Sequence, residues 1–144
     1  MAQASSADPR APSTTPAARK RRAVAYDSSF LLAVMERPTS WSDDILEKVG
    51  AFTPVVLSSV REELARLALN HDKRGRFAAL ALALVDEGVF SLEPDGKGKP
   101  DDEIISFALR EGAAVATLDS ELAKRLRASR VRTVITLRGG RVFL

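Results

Sequence analysis

Short apolar segments alternate with amphipathic helical patterns along almost the whole chain, and this alternation most constrains the fold. Runs such as AVAY, PVVL and TVITL have the length and composition of buried strands. Between them, segments such as SVREELARLAL place apolar residues three and four positions apart, as on one face of a helix. Strands separated by helices pair in parallel, because a crossover must return the chain to the same edge. The sequence therefore predicts an α/β fold with a mainly parallel central sheet.

The 144-residue chain is long enough for one domain with a sizeable core and too short for two domains of normal size. We expect residues 1–22 to be a disordered basic tail, because they are rich in Ala, Ser, Pro and Thr and end in RKRR. A secretory signal would need an apolar stretch after the charges. Residues 23–144 are then the folded domain.

Two absences exclude whole classes of function. The chain has no cysteine, which excludes disulfides, thiolate zinc sites and cysteine nucleophiles. This composition fits a reducing compartment, and we expect a cytoplasmic location. The longest apolar run, residues 77–85, has about half of the roughly 20 residues that a membrane span needs, so no membrane partner is expected.

The net charge of +3 hides a strong segregation of charge. Residues 23–119 hold seventeen acidic and ten basic side chains, whereas residues 120–144 hold one acidic and seven basic ones. Basic flanks around an acidic centre favour a polyanionic partner, although a solvated surface of mixed charge is the alternative. The basic side chains that we expect to hold nucleic acid are Arg19, Lys20, Arg21, Arg22, Lys124, Arg125, Arg127, Arg130 and Arg132.

Two aspartates directly follow predicted strands. Asp27 closes the first strand, and Asp119 comes just after AAVAT. The carboxyl ends of parallel strands meet at the edge of the sheet where α/β proteins bind ligands. Each aspartate has a simpler explanation as the N-cap of the next helix, since Asp is among the best capping residues.

Two further carboxylates lie on the inward sides of predicted helices. Glu63 borders the apolar stripe that includes Leu64, and Asp101 is three and seven residues from Ile104 and Ala108, near the middle of their apolar face. An inward carboxylate is costly unless it is hydrogen-bonded, paired or bound to a metal. The alternatives are an ion pair with a nearby arginine for Glu63 and helix-dipole stabilisation for Asp101.

If these four carboxylates converge, they need a counterion, because like charges repel and some would otherwise be protonated. Mg²⁺ and Mn²⁺ prefer oxygen ligands. A metal-bound water and a metal-neutralised phosphate are what hydrolysis of a phosphodiester requires. With few aromatic residues for base stacking, we expect recognition mainly through phosphate groups and shape.

Four segments in order, YDSSFLL, VLSSVREELARL, PDDEIISFA and VATLDSEL, resemble the PIN-domain nuclease family across residues 24 to about 140. The final VITLRGGRVFL is most similar to an archaeal branch related to nucleases of small-subunit ribosomal RNA processing. The resemblance implies a three-layer α/β/α sandwich and a Mg²⁺- or Mn²⁺-dependent endoribonuclease that cuts single-stranded RNA, with ribosomal precursor RNA as the expected partner.

The resemblance also implies which residues form the site. It gives four residues as catalytic metal ligands, directly or through water: Asp27, Glu63, Asp101 and Asp119. Asp102 is an auxiliary ligand candidate, and Ser28 stands where the family commonly has Thr, which would keep a hydroxyl near the metal. Leu118 stands where the family often has Asn, so a polar group is lost there.

Two alternatives remain open at this point. One is a VapC-type toxin ribonuclease, which uses the same acids and needs an antitoxin partner. The other is a catalytically inactive RNA-binding module of ribosome assembly that uses only the basic flanks. A homodimer that builds the binding groove is possible in each case.

Overall fold

The computed structural model describes residues 21–144, which form one six-stranded sheet and six helices. The strands are β1 (Arg22–Tyr26), β2 (Phe52–Leu57), β3 (Ser91–Glu93), β4 (Ala114–Ala116), β5 (Val134–Arg138) and β6 (Arg141–Phe143). The helices are α1 (Ser28–Glu36), α2 (Trp41–Val49), α3 (Ser58–Leu67), α4 (Lys73–Asp86), α5 (Pro100–Glu111) and α6 (Ser120–Ala128).

The sheet has the order β3-β2-β1-β4-β5-β6, and all neighbours pair in parallel except the β5–β6 hairpin. In the centre, Ala25 of β1 pairs with Val55 on one side and with Val115 on the other. The chain winds outward from β1 through β2 to β3, then returns to β4 on the opposite side. Strand order therefore reverses between β1 and β4, which makes their carboxyl ends the switch point of the sheet.

Both faces of the sheet are covered. Val24, Ala25 and Tyr26 are consecutive and all are buried, although neighbouring residues of a strand point to opposite faces. The same holds for Ala114–Ala116 of β4. The predicted α/β/α sandwich with a mainly parallel central sheet is confirmed. In residues 21–144, no helix combines the length and hydropathy needed to cross a bilayer.

The predicted order of strands and helices is also confirmed, with small shifts at element ends. Strand β1 begins at Arg22, which the sequence assigns to the tail, because Arg22 already pairs with Phe52 of β2. Strand β5 runs from Val134 to Arg138, one residue further along the chain than the predicted TVITL run. Helix α4 ends before Gly88, whose φ of 86° lies in the left-handed region that glycine favours. Residues 1–20 of the tail predicted for residues 1–22 lie outside the described residues.

An aromatic cluster packs under the carboxyl end of β1. The ring of Tyr26 meets Phe30, Trp41 and Phe90 edge-on, with centroids 5.2 to 5.6 Å apart. Within the described part of the chain, the buried Tyr26 hydroxyl has no hydrogen-bond partner. Burial accordingly raises the pKa of Tyr26 far above its ordinary value.

We expect Tyr26→Phe to stabilise the protein by about 1 kcal/mol, because it removes a buried hydroxyl that has no partner and keeps the ring contacts. The free energy of unfolding in urea tests this. Phe90→Leu is the control, since it removes ring contacts without touching a polar atom and is expected to destabilise. A Tyr26→Phe protein less stable than the parent would contradict the assignment of the hydroxyl as unpartnered.

Candidate active site at the carboxyl edge of the sheet

Asp27 lies between β1 and α1, at the switch point of the sheet. Its backbone N–H donates to the carbonyl oxygen of Ala116 in β4, at 2.9 Å, so the residue is fixed to the neighbouring strand. Asp27 occupies the N-cap position of α1, but its side chain makes no capping hydrogen bond. The side chain is only 4% exposed. Capping therefore does not explain why a carboxylate is buried here.

Two hydroxyl groups hold the Asp27 carboxylate by one of its oxygens. Ser29 Oγ and Thr117 Oγ1 donate to Oδ2 at 2.6 and 2.8 Å. No hydrogen bond from the described residues reaches Oδ1. Because burying a carboxylate is costly without compensation, these two donors make the position tolerable and leave the second oxygen for a ligand.

Glu63 on α3 is linked to the same place through Ser28. Ser28 Oγ donates to Glu63 Oε1 at 2.6 Å, and Ser28 is itself buried next to Asp27. Glu63 is half-buried, whereas its neighbour Glu62 is exposed, as the helical spacing predicted. Among residues 21–144, no arginine or lysine forms an ion pair with Glu63. Ser28 thus connects Asp27 to a second acid, and its hydroxyl orients that acid.

Asp119 starts α6 and does cap it. Its Oδ1 accepts hydrogen bonds from the backbone N–H groups of Glu121 and Leu122, at 2.9 and 3.2 Å. Its own backbone N–H donates to Thr117 Oγ1 at 3.0 Å, which joins Asp119 to the hydroxyl that also holds Asp27. The capping explanation is correct for one oxygen of Asp119, and Oδ2 receives no hydrogen bond within the described part of the chain.

Asp101, in the first turn of α5, is electrostatically coupled to the other three acids. Burial raises the pKa of Asp101 above its ordinary value, and the negative charges of Asp27 and Asp119 raise it further. The charge of Glu63 also raises this pKa, while the guanidinium of Arg125 opposes the shift. Asp101 therefore lies within electrostatic range of the other three acids. Hydrogen bonds through Thr117 and Ser28 connect those three acids to one another.

The chemistry of these donors fits a hard divalent cation. Across residues 21–144, no three acidic or histidine side chains stand close enough to enclose an ion by themselves. Mg²⁺, however, keeps several waters and needs only one or two carboxylates directly. Three of the four acids have one oxygen fixed by hydrogen bonds and one left over, and the fourth is held in a repulsive environment. This arrangement suits an ion that keeps several of its waters better than an ion that is enclosed by protein ligands alone.

Comparison with known proteins decides the family. A family model described as a PIN like domain matches residues 24–140. The chain belongs to the PIN-like domain family. Ribonuclease VapC4 of Methanocaldococcus jannaschii is 29% identical to it over an alignment of 115 residues, and the match covers 78% of this chain and 88% of that protein.

Two solved structures show the same fold. The PIN domain endonuclease Utp24 superposes with a TM-score of 0.66 at 18% identity, covering 83% of this chain and 88% of its own. A domain of a functionally unknown protein from Methanocaldococcus jannaschii DSM 2661 gives a TM-score of 0.56 at 17% identity, covering 85% and 96%. At these identities the likeness establishes the architecture of the PIN-like domain.

Asp102, the auxiliary ligand candidate, has a different partner in this PIN-like domain. Its Oδ1 accepts a hydrogen bond from Arg125 at 2.6 Å, which forms an ion pair between α5 and α6. Both side chains are about half exposed, so the pair contributes little to stability. Arg125, predicted to contact RNA, thus faces the acidic helix start, and the pair ties the helix of Asp101 to the helix that Asp119 begins.

The remaining predicted RNA-binding residues divide between two sides of the sheet, the carboxyl ends of the parallel strands and their amino ends. Lys124 and Arg127 line a cavity of about 230 Å³ beside Asp119. Arg22 lies at the opposite edge, where it donates to Thr133 just before β5. The other basic residues near the amino ends of the strands are Arg21, Arg130 and Arg132. Arg19 and Lys20 lie outside the described residues.

Sequence reasoning missed four residues of the PIN-like domain site. Thr117, Ser29 and Arg138 lie at element ends on the carboxyl edge, the same kind of position that predicts a functional role for Asp27. Asp95 gave no signal, because it lies in a loop with ordinary turn residues.

Asp95 anchors the start of α3. Its Oδ1 accepts from Ser58 Oγ at 2.7 Å, and its Oδ2 accepts from the hydroxyl and backbone N–H of Ser59. The loop that contains Asp95 leads directly into α5. These hydrogen bonds therefore fix the helix of Glu63 against the segment that delivers Asp101.

We expect Asp101→Asn to raise the melting temperature at pH 7 by up to a few degrees when divalent ions are absent. Because the pKa of Asp101 is raised in the folded state, the folded protein binds this proton more tightly than the unfolded chain. The stability that comes from this bound proton is therefore lost as pH rises through the pKa that Asp101 has in the folded state. The gain from Asn should vanish in acid, below about pH 4, where the carboxyl is neutral in both states.

The matched control is Asp102→Asn, which breaks the ion pair with Arg125 and should give no gain. Thermal melts in EDTA between pH 3 and pH 8 separate the two variants. An Asp101→Asn protein that melts lower than the parent at pH 7 would contradict the repulsive environment assigned to Asp101.

Proposed function

We propose that this PIN-like domain is a metal-dependent endoribonuclease that hydrolyses phosphodiester bonds of single-stranded RNA. The proposal rests on the grouping of acids at the switch point of the sheet: Thr117 joins Asp27 to Asp119 by hydrogen bonds, and Ser28, next to Asp27, donates to Glu63. Burial and the charges of these acids raise the pKa of Asp101. Four acids in shared surroundings are unfavourable for folding alone, so their placement favours a role in binding a cation.

The proposed ligands are Asp27, Glu63, Asp101 and Asp119, directly or through water. A bound Mg²⁺ or Mn²⁺ ion would supply an activated water and would neutralise charge on the phosphate. The protein's own contribution is orientation: the hydroxyls of Ser29 and Thr117 fix Asp27, and that of Ser28 fixes Glu63. Side chains held in this way need little rearrangement when the ion and the substrate arrive.

RNA is the proposed substrate on two grounds. The relative from Methanocaldococcus jannaschii is a ribonuclease, and the structural neighbour Utp24 is an endonuclease, by their names. In this chain, the cations that line the cavity beside Asp119 are suited to the phosphates of a bound strand: Lys124, Arg127 and Arg138. We further propose ribosomal precursor RNA as the target and the cytoplasm as the location, the latter because the chain has no cysteine.

The similarity to VapC4 supports a second candidate, a toxin ribonuclease that an antitoxin partner inhibits. Both candidates use the same four acids and differ in the RNA that is cut. Growth arrest on expression, relieved by a co-expressed protein from the neighbouring gene, would favour the toxin. Normal growth together with cleavage of ribosomal precursor would favour processing.

Cleavage of a labelled single-stranded RNA tests the proposed activity. We expect cleavage with Mg²⁺ or Mn²⁺ and none with EDTA. Glu63→Gln and Asp101→Asn should each lower the rate by about a hundredfold or more, because each removes a ligand charge from the site. The matched control is Glu62→Gln, since Glu62 is the exposed neighbour of Glu63 on the same helix.

Two results would refute the mechanism. One is cleavage that persists in EDTA, and the other is full activity of the Glu63→Gln protein. Equal losses in the Glu62→Gln and Glu63→Gln proteins would show that helix α3 tolerates no change there, and would remove the support for Glu63 as a ligand.

A further inference from the structure

Two cavities meet at Leu118, next to the acidic site. The first, of about 230 Å³, is lined on its basic side by Lys124, Arg127 and Arg138. The second, of about 160 Å³, extends towards Arg37. Leu118 and Leu137 line both, so the two cavities adjoin along an apolar wall, with Arg37 in one cavity and the other three cations in the other. We call these six residues the Leu118 groove.

Leu118 is placed by the same hydrogen bonds that hold the acids. Its backbone N–H donates to Ser29 Oγ at 3.0 Å, and Ser29 Oγ donates to Asp27. Leu118 is 39% exposed and comes immediately before Asp119 in the chain. A single exposed leucine means little by itself, but this one is the shared wall of two cavities beside the proposed ligands.

The charges around the groove are available to a ligand. Lys124 forms only a long pair with Glu121, at 3.6 Å, and both side chains are well exposed, so the pair is weak. The guanidinium of Arg138 lies 5.7 Å from the centre of the Phe143 ring, which holds it at the end of β5 without neutralising it. The groove is therefore a cationic site with an apolar wall, which suits a ligand with both an anionic and an apolar part.

We propose that the Leu118 groove seats one unpaired nucleotide of the RNA, with its base against Leu118 and the flanking phosphates on Lys124 and Arg127. This inference rests on the proposed function and adds a physical reason why the protein would bind single-stranded RNA in preference to duplex RNA. In a duplex, the faces of each base are covered by its neighbours, so an aliphatic side chain can reach a base face only in an unstacked strand.

Scanning an RNA with abasic sites tests where the base is held. The probe is a fluorescein-labelled hexamer of uridines, together with six versions that each lack one base, titrated in EDTA so that the proposed hydrolysis cannot run. With the parent protein, we expect one abasic position to weaken binding about fivefold, at the low end for a base contact. In Leu118→Ala, intact RNA should bind about fivefold more weakly and the penalty at that position should disappear.

Leu80→Ala is the matched control, because Leu80 is 54% exposed on α4 and lines neither cavity. It should keep the parent's abasic penalty. Equal penalties at all six positions, a penalty that survives in Leu118→Ala, or no binding of the hexamer by the parent would each overturn the inference.

The salt dependence of binding provides a second measurement that does not involve Leu118. The double variant Lys124→Gln, Arg127→Gln should reduce the slope of log affinity against log salt concentration by about 1.4, since each phosphate contact to a single strand contributes about 0.7. The control is Lys48→Gln, Arg110→Gln, which removes two exposed charges that line neither cavity. An unchanged slope in the first variant would overturn the phosphate contacts.

These results separate the groove from the activity. If metal-dependent cleavage of the intact hexamer is observed while no abasic penalty depends on Leu118, the groove is refuted and the ribonuclease stands. If the penalty depends on Leu118 but no cleavage occurs with any metal, the groove stands as an RNA-binding site and the ribonuclease is refuted.

Discussion

The hydroxyl groups of Ser29 and Thr117 donate to the same oxygen of Asp27, and this small network organises the carboxyl edge of the sheet. Asp27 is buried between the first strand and the first helix, where an ionised carboxylate is costly without donors. Thr117 Oγ1 also accepts from the backbone of Asp119, and Ser29 Oγ accepts from that of Leu118. The hydrogen bonds that make Asp27 tolerable thus also place the loop after β4.

The other two acids depend on longer-range contacts. Glu63 is oriented by Ser28, and the helix that carries it is fixed at its start by Asp95, in the loop that leads to Asp101. These contacts hold Asp101 where burial and three negative charges oppose its ionisation. Holding like charges together costs stability, and proteins commonly accept such costs at functional sites. In the proposed enzyme, a cation relieves that cost when it binds.

The fold and the placement of the four acids within it were predictable, because both follow from local pattern. Apolar runs and helical spacing mark the elements, strand ends mark Asp27 and Asp119, and inward helix positions mark Glu63 and Asp101. The contacts that orient these acids were not predictable. Asp95 bonds to serines 36 and 37 residues away, and such a pairing exists only once the chain is folded.

The central claim is that the four carboxylates form one cation site. The most direct measurement is anomalous X-ray scattering from crystals of the protein soaked in Mn²⁺. We expect a manganese peak at the carboxyl edge of the sheet, within direct or water-mediated reach of Asp27, Glu63, Asp101 and Asp119. Ordered density for all four side chains without a peak among them, or manganese bound only elsewhere, would contradict it.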